Sequence, residues 1–325
     1  MSHLDNREAG EISAMTVDYR IQDVVDGFFG SNPYAARLLQ RDNVRTDGAD
    51  RIQQPIIFGR LNGGSYSDND AFNTVRKRVV IPAYFDWKQY YVDITISGLD
   101  NLRNSGAAKI IDHTNVLMDV AGISGADYVG DDIYLDGTGN NNKAVSGLRL
   151  ALDNGATYTS YGGITRTSGA AAGTESYAVS GQVNTTGGAF TLGFANSEFQ
   201  TAVLGREKPD LWLTTQAIWN LMWERAQPTQ RFSAGDSRNQ MANIGFDTIA
   251  INGADIVVDS KVPSGQWFGL NTRWHKMIVH SSRMWSFTGW KYPTNGDQMI
   301  GQLLWAGEMV VQQPRLNFFT SNITS

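Results

Sequence analysis

Residues 85–106, FDWKQYYVDITISGLDNLRNSG, change their period inside one phrase. Up to Ser97 the chain is dense in aromatic and β-branched residues, as in a strand. From Leu99 onward the apolar positions Leu102, Ile110, Ile111, Thr114, Leu117, Met118 and Ala121 recur at spacings of three, four and seven. That spacing predicts a long amphipathic helix over 98–129. Ser97 with Asp100 three residues later resembles a capping box. Gly106, Gly122 and Gly125 should each weaken the helix by up to ~1 kcal/mol relative to Ala, so bends or interruptions are expected.

Upstream, residues 53–96 read as β. IQQPIIFGR (52–60) and VRKRVVIPAYFDW (75–87) are strand-like, and the polar, Gly-rich run around Gly63-Gly64 separates them. They predict a long hairpin with a polar tip, which has little core of its own and needs a partner surface. Arg76-Lys77-Arg78 falls inside its second strand, with Arg76 and Arg78 on one face and Lys77 on the other. Such a run either blunts an exposed edge or supplies intersubunit ion pairs. Residues 1–50 read as a loose arm in which Asn32-Pro33 breaks the segment. Arg37, Arg41 and Arg45 then come at a spacing of four, as the solvated face of a short helix or as an arm pairing with acidic neighbours.

Downstream, DGTGNNN (136–142) reads as a polar turn, and the composition shifts to Gly, Ser, Thr, Ala and Tyr through residue 190. ANSEFQTAVLG predicts a short helix, DLWLTT a buried strand and TTQAIWNLMWERAQP a helix stopped at Pro228. IGFDTIAI, ADIVVD, QWFGLN and HKMIVH predict strands, and MIGQLLWAGEMVVQQPRLNFF a long closing strand or bent ribbon. The middle region is therefore α+β.

The 325-residue chain has 27 basic and 32 acidic residues, a net charge of −5 and a pI near 5.4, which disfavours a generic basic nucleic-acid binder. With no Cys among 325 residues, disulfides, thiolate catalysis and cysteine-based metal sites are excluded. Charged residues make up only 18%, and there are 34 Gly and 9 Trp. Either amides and hydroxyls solvate the surface, or neighbouring subunits cover much of it. No run approaches the ~18 apolar residues of a membrane helix. The N-terminal MSHLDNREAGEIS lacks an apolar core, so a secretory signal is not expected.

A search for chemistry finds little. The motifs GxSxG, HExxH, GxxxxGK[ST] and GxGxxG are all absent from the sequence. His275 and His280, five apart, suit neither one strand face nor one helix face, and they read as structural or surface residues; His113 reads as a polar-face residue of the long helix. Asp132 and Asp136 resemble the start of a calcium loop, but Lys143 stands where the closing acid is required. The expected protein has no catalytic, cofactor-binding or metal residues.

The order of these parts resembles that of tailed-phage major capsid proteins of the Hong Kong 97-like fold. FDWKQYYVDITISGLDNLRNSG is similar to their hairpin-to-helix junction, YLDGTGNNNKAVSGLRLAL (134–152) to the helix exit, and TYTSYGGITR (157–166) to the segment beyond that exit. KPDLWLTTQAIWNLMWERAQPTQRF (208–232) and INGADIVVDSKVPSGQWFGLN (251–271) resemble stretches of their axial domain. The resemblance implies an α+β fold with an N-terminal arm (1–52), an extended hairpin loop (53–85) and a peripheral domain (86–143) carrying a spine helix at about 98–130. An axial domain (144–290) and a C-terminal return to the peripheral domain (291–325) complete it. It further implies a non-enzymatic shell subunit, made in the host cytoplasm, that forms hexamers and pentamers of itself around double-stranded DNA it does not bind specifically. A portal protein, a decoration protein and a scaffolding protein are the implied partners. The scaffold should be a separate chain, because only about 50 residues precede the hairpin. Arg76, Lys77, Arg78, Arg37 and Arg41 are the residues expected at intersubunit contacts. Lys77 is the candidate for a Lys–Asn crosslink, but no catalytic Glu can be matched, so no crosslink is expected. A carbohydrate-binding phage tail or adhesin-type protein, built around the 155–190 stretch and the many Trp, is the alternative.

Overall fold

The computed structural model describes residues 32–41, 43–99, 107–226, 249–294 and 296–324. Two sheets and one long helix organise it. The first sheet is built on a 14-residue strand, β15 (Gln298–Val311), which carries neighbours along both edges. β4 (Lys88–Ser97) runs antiparallel to it from Gln298↔Ser97 to Gly307↔Lys88. β13 (His275–His280) and β14 (Ser286–Phe287) share the opposite edge, and β1 (Val44–Asp47) adds in parallel outside β13.

The long helix α2 (Ala107–Ile133) continues beyond the expected end, and residues 98–99 are also helical. The proposed cap pair of Ser97 with Asp100 lies partly outside the described residues. Met118, Ala121, Gly122, Gly125, Ala126, Val129, Gly130 and Ile133 are buried along one face, the 3–4 spacing of an amphipathic helix. The glycines are part of that packing. A Cβ on Gly125 would run into the Trp285 ring, so the ring lies directly on the helix backbone.

The second sheet has the order β10 (Ile249–Ile251), β11 (Ala254–Val258), β9 (Leu211–Thr214), β12 (Trp267–Leu270), β16 (Phe318–Thr320) and β7 (Gln182–Asn184). Its central strands are buried on both faces, which explains their unbroken apolar runs. One face sends Leu211, Leu213, Phe268 and Phe319 into the core shared with α2 and the first sheet. The other sends Trp212, Trp267 and Phe318 against α3 (Leu192–Thr201) and α4 (Gln216–Ala226).

Chain order and sheet membership do not run together. The strand at 275–280, grouped with 144–290, lies in the first sheet, whereas 318–320, grouped with the C-terminal return, lies in the second. Residues 32–47 are not a loose arm either. Asn32-Pro33, read as a break, starts helix α1 (Pro33–Gln40): the Asn32 side chain accepts hydrogen bonds from the Tyr34 and Ala35 amides, and Pro33 occupies the first turn. Tyr34, Ala35 and Leu38 are fully buried in the main core. Arg45 falls in β1 and not on a helix.

The hairpin is present but shorter than expected. β2 (Ile52–Ile57) pairs antiparallel with β3 (Val80–Phe85), with Ile52 opposite Phe85 and Ile57 opposite Val80. Its inner face, Ile52, Ile56, Ala83 and Phe85, packs on Tyr161, Ile164, Val179 and Val310. Tyr161 and Ile164 come from the small hairpin β5 (Ser160–Tyr161) and β6 (Ile164–Thr165). Gly162 and Gly163 turn it with φ of 56° and 78°, the left-handed pair that a tight hairpin turn requires.

Candidate assembly surface

Beyond Ile57 and Val80 one further backbone bond, Phe58 N–H to the Val79 carbonyl at 3.0 Å, closes the ladder. Residues 58–79 then leave the body without regular structure. Arg76-Lys77-Arg78 therefore lies outside any strand, and its expected alternation on two strand faces does not hold. Sequence alone extends the strand through it because nothing in the residues marks where a partner strand stops. Arg78 reaches Glu175 at 3.5 Å, an exposed pair worth at most ~1 kcal/mol.

The loop is held mostly by itself. Asn62 donates to the Val75 carbonyl at 2.7 Å, the Ser67 amide to the Asp70 carboxylate at 2.7 Å, and Tyr66 meets Phe72 edge to face. Yet it carries Leu61, Tyr66, Phe72 and Val75, each about 70% exposed (71, 70, 67 and 74%). Four large apolar side chains are thus exposed on one loop, the kind of grouping that marks interaction sites more often than lone surface residues do. Arg60, Arg76, Lys77 and Arg78 against Asp68 and Asp70 give it a basic character.

Helix α2 offers a second surface. Val116, Val120 and Ile123, at spacings of four and three, line the side opposite its buried face and are more than half exposed. Farther along that side stand Asp127 and Asp131, both bound to Lys261 at 3.0 and 2.6 Å. The outer face of this helix is thus apolar in one half and acidic in the other.

Arg37 and Arg41 take a different part. Arg37 lies 3.4 Å from Asp210 and 3.5 Å from Asp255, and Arg41 lies 2.8 Å from Asp210. These pairs tie α1 to the start of β9 and to β11 within the same chain. Asp210 also accepts from the Thr272 amide and hydroxyl at 2.7 Å each.

The remaining polar groups read as structure. His275 is enclosed between the Tyr34 hydroxyl at 2.7 Å and the Asn317 amide oxygen at 2.9 Å. His280 lies by Ser282 and against the Trp87 ring. Arg166, nearly fully buried, gives its guanidinium to the carbonyls of Leu150, Ala151 and Val179. Asp132, in the last turn of α2, accepts from Tyr90, and Asp136, in the turn beyond it, accepts from Tyr158 and Thr138. Among the described residues no cluster of acids and histidines can hold a metal ion, and no helix is long and apolar enough to cross a membrane.

The described chain is thus two sheets bridged by a long helix, with a loop projecting from the body. No family model and no curated protein matches the sequence. Solved structures do match. The chain superposes on the capsid of a native GTA particle with a TM-score of 0.61 at 11% identity, covering 91% of both chains. It superposes on the capsid asymmetric unit of cyanophage A-1(L) with 0.58 at 12% identity, covering 87% of this chain and 91% of that one. The SrpI encapsulin of Synechococcus elongatus matches at 0.52 and 8%, covering 90% and 88%. The chain therefore has the α+β Hong Kong 97-like capsid fold that its sequence resembles. The tail or adhesin alternative finds no support: the solved structures that match are capsid subunits, and the 155–190 stretch supplies β7, which pairs with β16 in the second sheet.

Proposed function

We propose that this chain is the major capsid protein of a tailed phage, assembling as hexamers and pentamers into an icosahedral head around double-stranded DNA. The likeness to capsid subunits along about nine tenths of both chains carries the reading. The exposed loop 58–79 supports it, because an apolar and basic projection acquires burial only on another subunit. The apolar and acidic outer face of α2 in the next copy is complementary to it. In this reading α2 is the spine helix of a peripheral domain with the first sheet, and the second sheet with α3 and α4 is the axial domain. Residues 1–31 of the arm expected at 1–52 lie outside the described residues. Repetition turns such modest contacts into a stable lattice. The subunit has no enzymatic activity, and its net charge of −5 suits a container that does not grip phosphates.

A separate scaffolding protein directs assembly, and a portal and a decoration protein complete the virion. Coexpression of the chain with its scaffold, viewed by electron microscopy, should give closed shells of uniform diameter; a chain that stays monomeric with scaffold present sinks the idea. Mature particles on a denaturing gel should run as one band of 35.7 kDa, because no catalytic Glu can be matched to Lys77 for a crosslink. The encapsulin match gives one other reading, a shell around protein cargo. The nucleic-acid content of particles from infected cells separates the two.

A further inference from the structure

Four Asn–Gly pairs occur in the chain, at 62–63, 154–155, 252–253 and 295–296. In such a pair the glycine backbone nitrogen can attack the side-chain carbonyl carbon of the asparagine, because glycine has no Cβ to crowd the approach. A five-membered imide forms and the side-chain nitrogen leaves as ammonia. Water then reopens the ring to Asp, or to the isomer in which the main chain runs through the former side-chain carbonyl. The reaction needs a backbone free to bring the two atoms together and a glycine amide that can give up its proton. Three of the pairs lie wholly within the described residues, and they differ in both respects.

At 154–155 the glycine amide is engaged. Gly155 N–H donates to the Asp153 carboxylate at 2.8 Å, and the same oxygen accepts the Thr157 and Tyr158 amides at 3.3 and 2.9 Å. The Asn154 side-chain oxygen accepts the Ala156 amide at 3.0 Å. At 252–253 the two residues are the turn between β10 and β11, with φ of 54° and 80° and Ile251 opposite Ala254. The Asn252 side chain donates to Asn196 at 2.7 Å, and its carbonyl accepts the Lys208 ammonium at 2.9 Å. Ring closure there has to open the hairpin first.

At 62–63 no such restraint exists. Asn62 and Gly63 are exposed and lie outside any strand or helix. Among the described residues nothing accepts the Gly63 amide. A Cβ built on Gly63 would meet no atom within 4 Å, and its φ is not left-handed. One bond holds Asn62: its Nδ2 donates to the Val75 carbonyl at 2.7 Å, tying the two limbs of loop 58–79 together.

We propose that Asn62 is a self-modification site, deamidated through attack by the Gly63 nitrogen, and that loss of its Nδ2 unties the limbs of the loop. The nitrogen that leaves is the donor of the tie. The product sets a carboxylate against the Val75 carbonyl, two acceptors with no proton between them. The isomer also lengthens one limb by a methylene. Water is the one co-reactant, and the single chain suffices whether or not it tiles a shell.

The full chain, kept in mildly alkaline buffer, sampled over days and digested for mass spectrometry, tests both parts. The peptide carrying 62–63 should gain the mass of OH in place of NH2 and separate into two isomers. Its rate should exceed those at 154–155 and 252–253 by about tenfold or more, since local opening must precede the ring at those two. In the urea-unfolded chain the three rates should converge. Gly63→Ala has the space it needs and should slow the reaction at Asn62 by about tenfold or more with the fold unchanged. Trypsin reads the untying. Cleavage after Arg76 should be about two- to tenfold faster in Asn62→Asp than in fresh wild type, the worth of one hydrogen bond. A folded chain that reacts no faster at Asn62 than at the other two pairs overturns the modification, and equal cleavage of Asn62→Asp and wild type overturns the untying.

Discussion

His275 and Glu308 are buried groups whose ionisation acts on stability in opposite directions over almost the same pH range. Asn317 fixes the state of the imidazole. Its Nδ2 donates to the Gln313 carbonyl and its Oδ1 accepts the Asn271 amide, so Oδ1 is the oxygen that faces His275. Nε2 then carries the proton, and Nδ1 accepts from the Tyr34 hydroxyl. Charging the ring would need a second proton where Tyr34 already donates, and burial depresses His275 to about 4. The unfolded chain binds that proton near 6.5, so His275 removes stability as pH falls from 6.5 toward 4. Glu308, raised from 4.5 to about 7, removes stability as pH rises over that interval. Each effect is on the order of 3 kcal/mol for a fully buried group. Urea unfolding of the wild type between pH 4.5 and 6.5 should therefore show a nearly level contribution from this pair. Glu308→Gln should expose a rising slope from His275, and His275→Gln a falling slope from Glu308. Parallel slopes in the two variants would refute the assignment of either charge state. Arg166 makes a third case. Its three carbonyl acceptors need the guanidinium fork, so Arg166→Lys should lower stability by about 2–3 kcal/mol although the charge is kept, as read by the urea midpoint.

At the scale of elements, α2 shows a conflict between propensity and packing. Ala is favoured over Gly in a helix interior by up to ~1 kcal/mol. At Gly125, however, a methyl group would enter the buried Trp285 ring, and overpacking of that kind costs about 1–3 kcal/mol. Gly125→Ala should thus lower the melting temperature by several degrees, and Gly125→Ala with Trp285→Leu should recover part of the loss. A rise in the single variant would show that helix propensity decides. The same residues show what sequence can and cannot convey. The period of three and four announces the helix, and the continuous apolar runs announce the buried strands. Gly125 reads as a weak point because the Trp285 ring that needs it lies about 160 positions away. Asn32-Pro33 carries a legible helix start, cap followed by first-turn proline, but reads as a break since no apolar period continues in so short a helix. Arg37 and Arg41 read as a solvated face or as intersubunit contacts, because Asp210 and Asp255 become their partners only through the second sheet. Glu308 gives no local signal at all, since one acid in an apolar strand reads equally well as an edge residue.

For the whole molecule, the decisive property is how little the fold depends on loop 58–79. The three core clusters contain Ile52, Ile56, Ala83 and Phe85 from the hairpin base and no fully buried residue from 58–79. The loop's apolar side chains lie in solvent and its hydrogen bonds are chiefly internal. Replacing 60–77 with a short Gly-Ser turn should leave the monomer's stability within about 0.5 kcal/mol, as expected for surface changes. Shortening a flexible connection also lowers its closure entropy slightly, which works in favour of the variant. The same replacement should abolish closed shells under conditions in which the intact chain forms them, with sedimentation velocity showing monomers or small capsomers only. Four substitutions to Ser, at Leu61, Tyr66, Phe72 and Val75, separate the contact from the length of the loop. If the apolar side chains bind a neighbour, this variant fails to assemble as the deletion does; if the basic residues suffice, it assembles and its shells fall apart in high salt. A deletion variant that closes normally would mean that the loop is ornamental and that the lattice is held by the body alone, with the outer face of α2 then as the first surface to alter.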